Sequence, residues 1–228
     1  MLHKVVQLGG KSYFWLEKTN VVSMIQEYQV SGFRVREYEE LGSTNTEAER
    51  VGWDELEDKM VILTYRQTQG RGQIGNHWES EPGKNISMTV VFKPRELPAG
   101  QQFAVSMVIA LGTYDFISRY VGECSVKWPN DIYVGDRKIS GILIEHSIMG
   151  RYVGGSLCGI GVNINQERFL SDAPNPVSLF QLIGKEIPVK RALEELLDCI
   201  GKRYETIRDY EGLERDFLKV LYRREGVY

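Results

Sequence analysis

Residues 67–78 read QTQGRGQIGNHW, three glycines around one arginine. Glycine lets the backbone approach a ligand closely and take up φ > 0, and a run of exposed N–H groups makes a concavity for an anion. Arg71 adds a planar fork that suits a carboxylate or a phosphate. A plain surface loop can also be glycine-rich, so the weight falls on what accompanies it. Three further polar clusters do: Ser43-Thr44-Asn45, residues 127–131 (KWPND), and Arg137-Lys138 followed by Gly141. Together they offer donors for phosphates, cations for a carboxylate, and acid or amide oxygens for a divalent metal. Nucleotide-dependent activation of a carboxylic acid needs that whole set.

These groups need a scaffold. Residues 33–38 (FRVREY) alternate apolar and charged types as a half-buried strand should, and Thr44 with Glu47 has the form of a capping box opening a helix to about Leu56. Residues 61–65 read as a buried strand running into the glycine-rich loop, and residues 86–92 as the next strand, ended before Pro94. Phe103, Val108, Leu111 and Ile117 recur at helical spacing, predicting a long amphipathic helix over 101–120. Strands over 131–134, 139–147 and 151–163 follow, divided by turn residues at Gly135-Asp136 and Met149-Gly150, and two helices follow from Val189. Residues 1–32, with a short strand near 12–16 and a helical pattern over 21–28, read as an N-terminal extension to a catalytic domain over 33–228. Grouped strands with few, long helices predict an α+β (mixed α/β) fold: a mixed, largely antiparallel sheet with helices on one side.

Composition narrows the class. With 42% hydrophobic and 26% charged residues in 228, the chain has the makings of an ordinary soluble core. A net charge of −3 gives no basic footprint, so no DNA partner is expected. Cys124, Cys158 and Cys199 are odd in number and lack metal-ligand spacing, which fits a reducing cytoplasm rather than a disulfide framework. No segment reads as a signal peptide or a membrane span, so a cytoplasmic protein without a membrane partner is expected.

The clusters carry a resemblance that spacing alone could not. With STN at 43–45, QTxGRG at 67–72, KWPND at 127–131, RKxxGIL at 137–143 and GIGVNIN at 159–165, in that order, the chain resembles the biotin protein ligases, or biotin–[acetyl-CoA-carboxylase] ligases, closely over 33–165. The resemblance implies a class II synthetase-like catalytic domain and a two-step reaction. Biotin and ATP give biotinyl-5′-AMP and pyrophosphate, and the acyl group then passes to a lysine of a biotin carboxyl carrier protein domain. Mg²⁺ is the implied metal, brought with ATP near Asn163 rather than held at a fixed protein site. Relatives pair through the sheet, which makes a homodimer an expectation.

By the same resemblance, Ser43, Thr44 and Asn45 meet biotin's ureido ring and Gln67 adds a further contact. Gly70, Arg71, Gly72 and Gln73 belong to the loop that closes on biotin, and Gly141 and Gly159 count with the biotin site. Arg71 would neutralise carboxylate and phosphate as they approach. Lys138, which composition alone would read as a solvated hairpin lysine, matches the main catalytic cation. Asp131 would orient Lys138 or the metal, or deprotonate the acceptor lysine. Trp78, Asn130 and Asn163 join Arg71 and Lys138 around the nucleotide. Trp128 reads as a core anchor, Arg137 as solvated, and Glu145 as a paired structural carboxylate. His3, His77 and His146 match no role.

The chain departs from the family in three places. Its loop reads GRGQIGN where the family often has GRGRRGR, so fewer cations would hold the adenylate. The segment before Ser43 is too short to resemble the winged helix-turn-helix of the family's repressor members. Residues 221–228 look like the start of the family's small C-terminal SH3-like barrel, which the chain is expected to lack. Two other readings stand beside the ligase: a lipoate-protein ligase, whose adenylation chemistry is similar, and a non-catalytic biotin or nucleotide sensor. Retention of both Arg71 and Lys138 favours chemistry over sensing.

Overall fold

The structure, a computed structural model, describes residues 5–8, 11–14, 23–73, 76–171 and 173–223. In chain order they hold β1 (Val5–Leu8), β2 (Lys11–Phe14), β3 (Met24–Val30), β4 (Phe33–Tyr38), α1 (Thr44–Val51), β5 (Met60–Thr64), β6 (Gly70–Arg71), β7 (His77–Trp78) and β8 (Ile86–Phe92). There follow α2 (Phe103–Ile117), β9 (Cys124–Lys127), β10 (Asp131–Val134), β11 (Arg137–Met149), β12 (Tyr152–Val162), α3 (Leu179–Ile183), α4 (Val189–Glu205) and α5 (Tyr210–Lys219). Eight strands form one sheet in the order β3-β4-β5-β8-β12-β11-β10-β9, while β1–β2 and β6–β7 are separate hairpins. Among the described residues of the main sheet only β4 and β5 pair parallel. The fold is thus the expected mixed, largely antiparallel α/β arrangement. No helix among the described residues is long and apolar enough to cross a membrane.

Strand composition sets position in the sheet. β5 (MVILT) and β8 (ISMTVVF) are buried at every residue, as strands covered on both faces must be. The larger core lies between one sheet face and α2, α4 and α5, with Phe33, Phe92, Phe116 and Ile109 fully buried there. α2 is buried nearly all round, not amphipathic as its spacing suggested, because sheet, α4 and α5 enclose it. A smaller core on the opposite face joins Ala48 of α1 to Met60, Ile62, Val91 and Leu157. The three long helices therefore share one side, and short α1 alone crosses to the other.

Two local expectations are corrected. Residues 21–28 do not form a helix over their described part: β3 pairs with β4 from Met24↔Tyr38 to Val30↔Phe33. The turn between them, Ser31-Gly32, has φ of 49° and 79°, the two positive values of a primed hairpin turn. β4 needs a partner on its free edge, and Met24 and Ile25 stay exposed instead of supplying a helix's apolar face. The sheet therefore begins inside the segment assigned to the extension. Secondly, α1 ends at Val51, where Gly52 takes φ 83°, and no side chain caps its start. Glu47 bonds Arg50 (2.7 and 2.8 Å) in place of a capping box. At the other end, Leu221 bridges Val126 of β9, and residues 224–228 of the expected barrel start lie outside the described residues.

Candidate functional site

Strand register gathers the site. Asp131, Gly141, Gly161, Ser87 and Thr64 lie in one row across β10, β11, β12, β8 and β5. Leu143, Gly159, Thr89 and Ile62 form the next row on the same face, two residues along each strand. Glycines at the centre of both rows hollow the surface. α1, the β6–β7 hairpin and residues 169–171 and 173–176 stand around the hollow, enclosing a cleft of about 690 Å³. That is room for a drug-sized ligand. A second cleft, of about 760 Å³, lies near Asp58, Lys93 and Tyr204, away from every sequence-predicted site residue. There Tyr204 bonds Asp58 (2.8 Å) and Lys93 bonds the Trp53 carbonyl (2.8 Å), so its polar groups serve packing.

Around the first cleft stand Ser43, Thr44, Asn45, Gln67, Arg71, Gly72, Gln73, Trp78, Asn130, Asp131, Lys138, Gly141, Gly159 and Asn163. Of the residues assigned to the site from the sequence, Gly70 alone lies behind the wall, where a β-carbon would strike the Trp78 carbonyl and the Gln67 amide. Ile74 and Gly75 of the loop lie outside the described residues. Trp128, expected in the core, is 67% exposed in the turn between β9 and β10, beyond the cover of the helix layer.

Two sub-sites emerge. In the first, the Asn45 amide is fixed at both ends. Its Nδ2 donates to Glu145 Oε2 (2.8 Å), and its Oδ1 accepts from the Thr89 hydroxyl (2.5 Å), which also lies 2.9 Å from Thr44 Oγ1. Gln67 Oε1 accepts from the Thr44 backbone N–H (3.0 Å). A β-carbon at Gly159 would collide with Asn45 Oδ1. Arg71 closes this end, donating to Glu145 Oε1 (2.8 Å) and Glu49 Oε1 (3.0 Å). Its pKa is pushed further above the ordinary guanidinium range, chiefly by the Glu49 bond and against partial burial, with Glu145 adding. It is a permanent cation on the hairpin.

In the second sub-site, Lys138 Nζ lies 2.7 Å from Asp131 Oδ1 and 5.8 Å from the centre of a Trp78 ring. The Trp78 indole presses onto the glycine row, where a β-carbon would come within 3.0 Å of it at Gly141 and closer still at Gly161. The Lys138 backbone is anchored by Asn175 O and Val177 N (2.8 and 2.9 Å), and Asn130 Nδ2 donates to Ile142 O (2.6 Å), fixing the turn that carries Asp131. Asn163 is 2% exposed; its Nδ2 donates to Val177 O (3.0 Å), yet its Oδ1 has no partner. Trp78 Nε1 is likewise buried and unpaired. Unpaired buried polar atoms are rare and costly, and two beside one cleft suit a ligand or its metal.

Sequence reasoning missed Thr89, Glu79 and residues 169–171 and 173–176, while Glu145 is the paired carboxylate it expected, with Asn45 and Arg71 as the partners. Period two was the available signal. Counting from Gly141, Glu145 falls on the same strand face, and Ser87 and Thr89 are the polar alternates of an otherwise apolar strand.

The family model described as "Biotin/lipoate A/B protein ligase family" matches residues 38–163. Among curated proteins, the chain is similar to the bifunctional ligase/repressor BirA of Bacillus subtilis, at 28% identity over 91% of this chain and 66% of that protein. It is also similar to the biotin–[acetyl-CoA-carboxylase] ligase of Paracoccus denitrificans, at 36% identity over 54% of this chain and 51% of that one. The chain thus spans between half and two thirds of these relatives. Among solved structures, the biotin protein ligase of Aquifex aeolicus in complex with biotin and ATP shares the fold, with TM-score 0.69 and 23% identity over 82% of this chain and 78% of that one. The biotin protein ligase of Leishmania major with biotinyl-5-AMP does so at TM-score 0.67 and 22% identity, covering 85% and 83%.

Proposed function

The chain belongs to the biotin/lipoate A/B protein ligase family, and from that premise we propose that it activates biotin with ATP and passes it to a lysine of a biotin carboxyl carrier protein domain. One observation carries the reading: two cations from separate elements, Arg71 on β6 and Lys138 on β11, stand at a cleft floored by Gly141, Gly159 and Gly161. A ureido ring has one carbonyl and two N–H groups, and the Ser43, Thr44 and Asn45 cluster supplies donors and acceptors to match. The names of the similar proteins support biotin as the acid.

In the first step a biotin carboxylate oxygen bonds to the α-phosphorus of ATP as the bond to the bridging oxygen breaks, releasing pyrophosphate. Two anions must meet. Arg71, drawn from Glu49 and Glu145, and Lys138, drawn from Asp131, offset that repulsion in the transition state. Mg²⁺ brought with ATP would neutralise phosphate charge, and Asn163, with its buried Oδ1 unpaired, would be a residue to hold it. In the second step the acceptor amine attacks the acyl carbon and AMP leaves. In this reading Asp131, freed of Lys138, takes the amine proton.

The test is pyrophosphate release by the full chain with ATP, Mg²⁺ and either biotin or lipoate. Release with biotin only is expected; release with lipoate only would reassign the substrate, and silence with both would leave a binding protein. Two variants refine the picture. Glu145→Ala should weaken biotin binding about tenfold, since Asn45 and Arg71 both lose an acceptor, whereas Glu145→Gln should recover part of that loss. Calorimetric titration with biotin checks both, and equal losses in the two would refute the acceptor role. Gln73→Arg, which restores a lid cation, should slow escape of the adenylate severalfold in a filter-trap assay. An unchanged leak would show that the lid's charge is irrelevant to retention.

A further inference from the structure

Glu79 directly follows Trp78, at the end of the hairpin that forms one wall of the cleft. Its carboxylate reaches the opposite wall. Oε1 accepts from the Leu170 backbone N–H (2.8 Å) and from Gln166 Nε2 (3.0 Å), and Oε2 accepts from the Ser171 backbone N–H (2.8 Å). Two consecutive backbone amides are gripped by both oxygens of one ionised group, an arrangement stronger than neutral hydrogen bonds. Burial alone would raise the Glu79 carboxyl, but these bonds prevail and hold it below the usual carboxylate range. Gln166 is itself 1% exposed and fixed, accepting from the Glu81 N–H (3.0 Å) and from Asn85 Nδ2. Farther along the chain, the Asn175 carbonyl accepts from the Lys138 N–H (2.8 Å).

We infer that Glu79 is a positioning residue that locks residues 167–171 to the β6–β7 hairpin, so the walls bounding the Trp78–Asn163 half of the cleft are set before ATP arrives. The inference rests on the ligase reading for what that half holds. A segment already ordered adds little entropic penalty when the nucleotide binds, and a carboxylate between consecutive amides keeps it so. Biotin contacts the other half, through Asn45 and Arg71, and should not sense the lock.

Glu79→Ala removes both acceptor oxygens and their three hydrogen bonds at once; Glu79→Gln keeps one carbonyl oxygen but sets an amide NH2 against a backbone N–H. The experiment measures three quantities on the full chain: KM for ATP in pyrophosphate release, biotin affinity without ATP, and hydrogen exchange at the Leu170 and Ser171 amides. In Glu79→Ala, KM for ATP should rise about tenfold and both amides should exchange at least about tenfold faster, while biotin affinity stays within about twofold. Glu79→Gln should fall between. An unchanged KM for ATP overturns the inference whatever the exchange shows, as does a parallel loss of biotin affinity, which would make Glu79 a support of the whole fold. If the wild type releases no pyrophosphate, the ligase reading falls, and exchange at the two amides alone then decides the lock.

Discussion

Replacing Lys138 with alanine should lower biotin-dependent pyrophosphate release by about 10²–10³-fold with the fold intact. That loss corresponds to roughly 3–4 kcal/mol of transition-state stabilisation, well beyond what a partly exposed ion pair contributes to folding. The Lys138 side chain is 34% exposed in its pair with Asp131, so truncation should move the melting temperature by only a few degrees. Lys138→Arg should restore little. A guanidinium keeps the charge but not the compact geometry, and the adjoining Trp78 ring leaves it little room. Single-turnover pyrophosphate release and a thermal melt on the same preparations check both halves of the expectation. A near wild-type rate in Lys138→Ala would remove this residue from the chemistry.

The second large effect should come from a single methyl group. In Gly161→Ala the new β-carbon would lie 2.7 Å from Trp78 Cζ2 and nearer still to the neighbouring indole carbon. Gly161 is held between Ser87 and Gly141 on adjacent strands and cannot retreat. The hairpin can, since β6 and β7 pair over two residues each. Overpacking in a closed core costs about 1–3 kcal/mol; here the wall should swing instead, keeping most of the stability and giving up the site. Arg71 pairs with His77 in the same hairpin, so its guanidinium would leave Glu145 along with Trp78. Adenylation should fall about 10²-fold, with melting lowered by only a few degrees. Retained activity, or a collapse of stability in place of activity, would count against the indole as a yielding wall.

Much of this was legible in the chain. The hairpins at Gly135-Asp136 and Met149-Gly150 carry their turn chemistry in the sequence, and the apolar runs of β5 and β8 declare burial on both faces. The clusters around Arg71 and Lys138 announce themselves by residue type. Other features depend on partners distant in sequence. Val21, Val22, Ile25 and Tyr28 match a helical period about as well as a strand, and only the edge of β4 decides; the two-residue turn at Ser31-Gly32 was the overlooked clue. Glu145 and Glu79 are ordinary acids until register brings one to Asn45 and the 170–171 amides meet the other. Trp128 is large and apolar, yet it sits in a turn where the described residues leave it mostly exposed.

The sheet's strand order has a bearing on how the molecule is made. β3, β4, β5 and β8 come from the first half of the chain and β12, β11, β10 and β9 from the second, so β8 and β12 meet along a seam joining residues some seventy positions apart, such as Ser87 and Gly161. Asn45, Arg71 and Trp78 lie on one side of that seam in sequence, and Asp131, Lys138 and the three floor glycines on the other. Long-range pairings of this kind are slow to form because loop closure precedes any gain from contact. A nascent chain that has not closed the seam has no cleft, however well its halves are formed. Ligands of the cleft therefore bind only the finished chain and, by mass action, draw unfinished ones toward it.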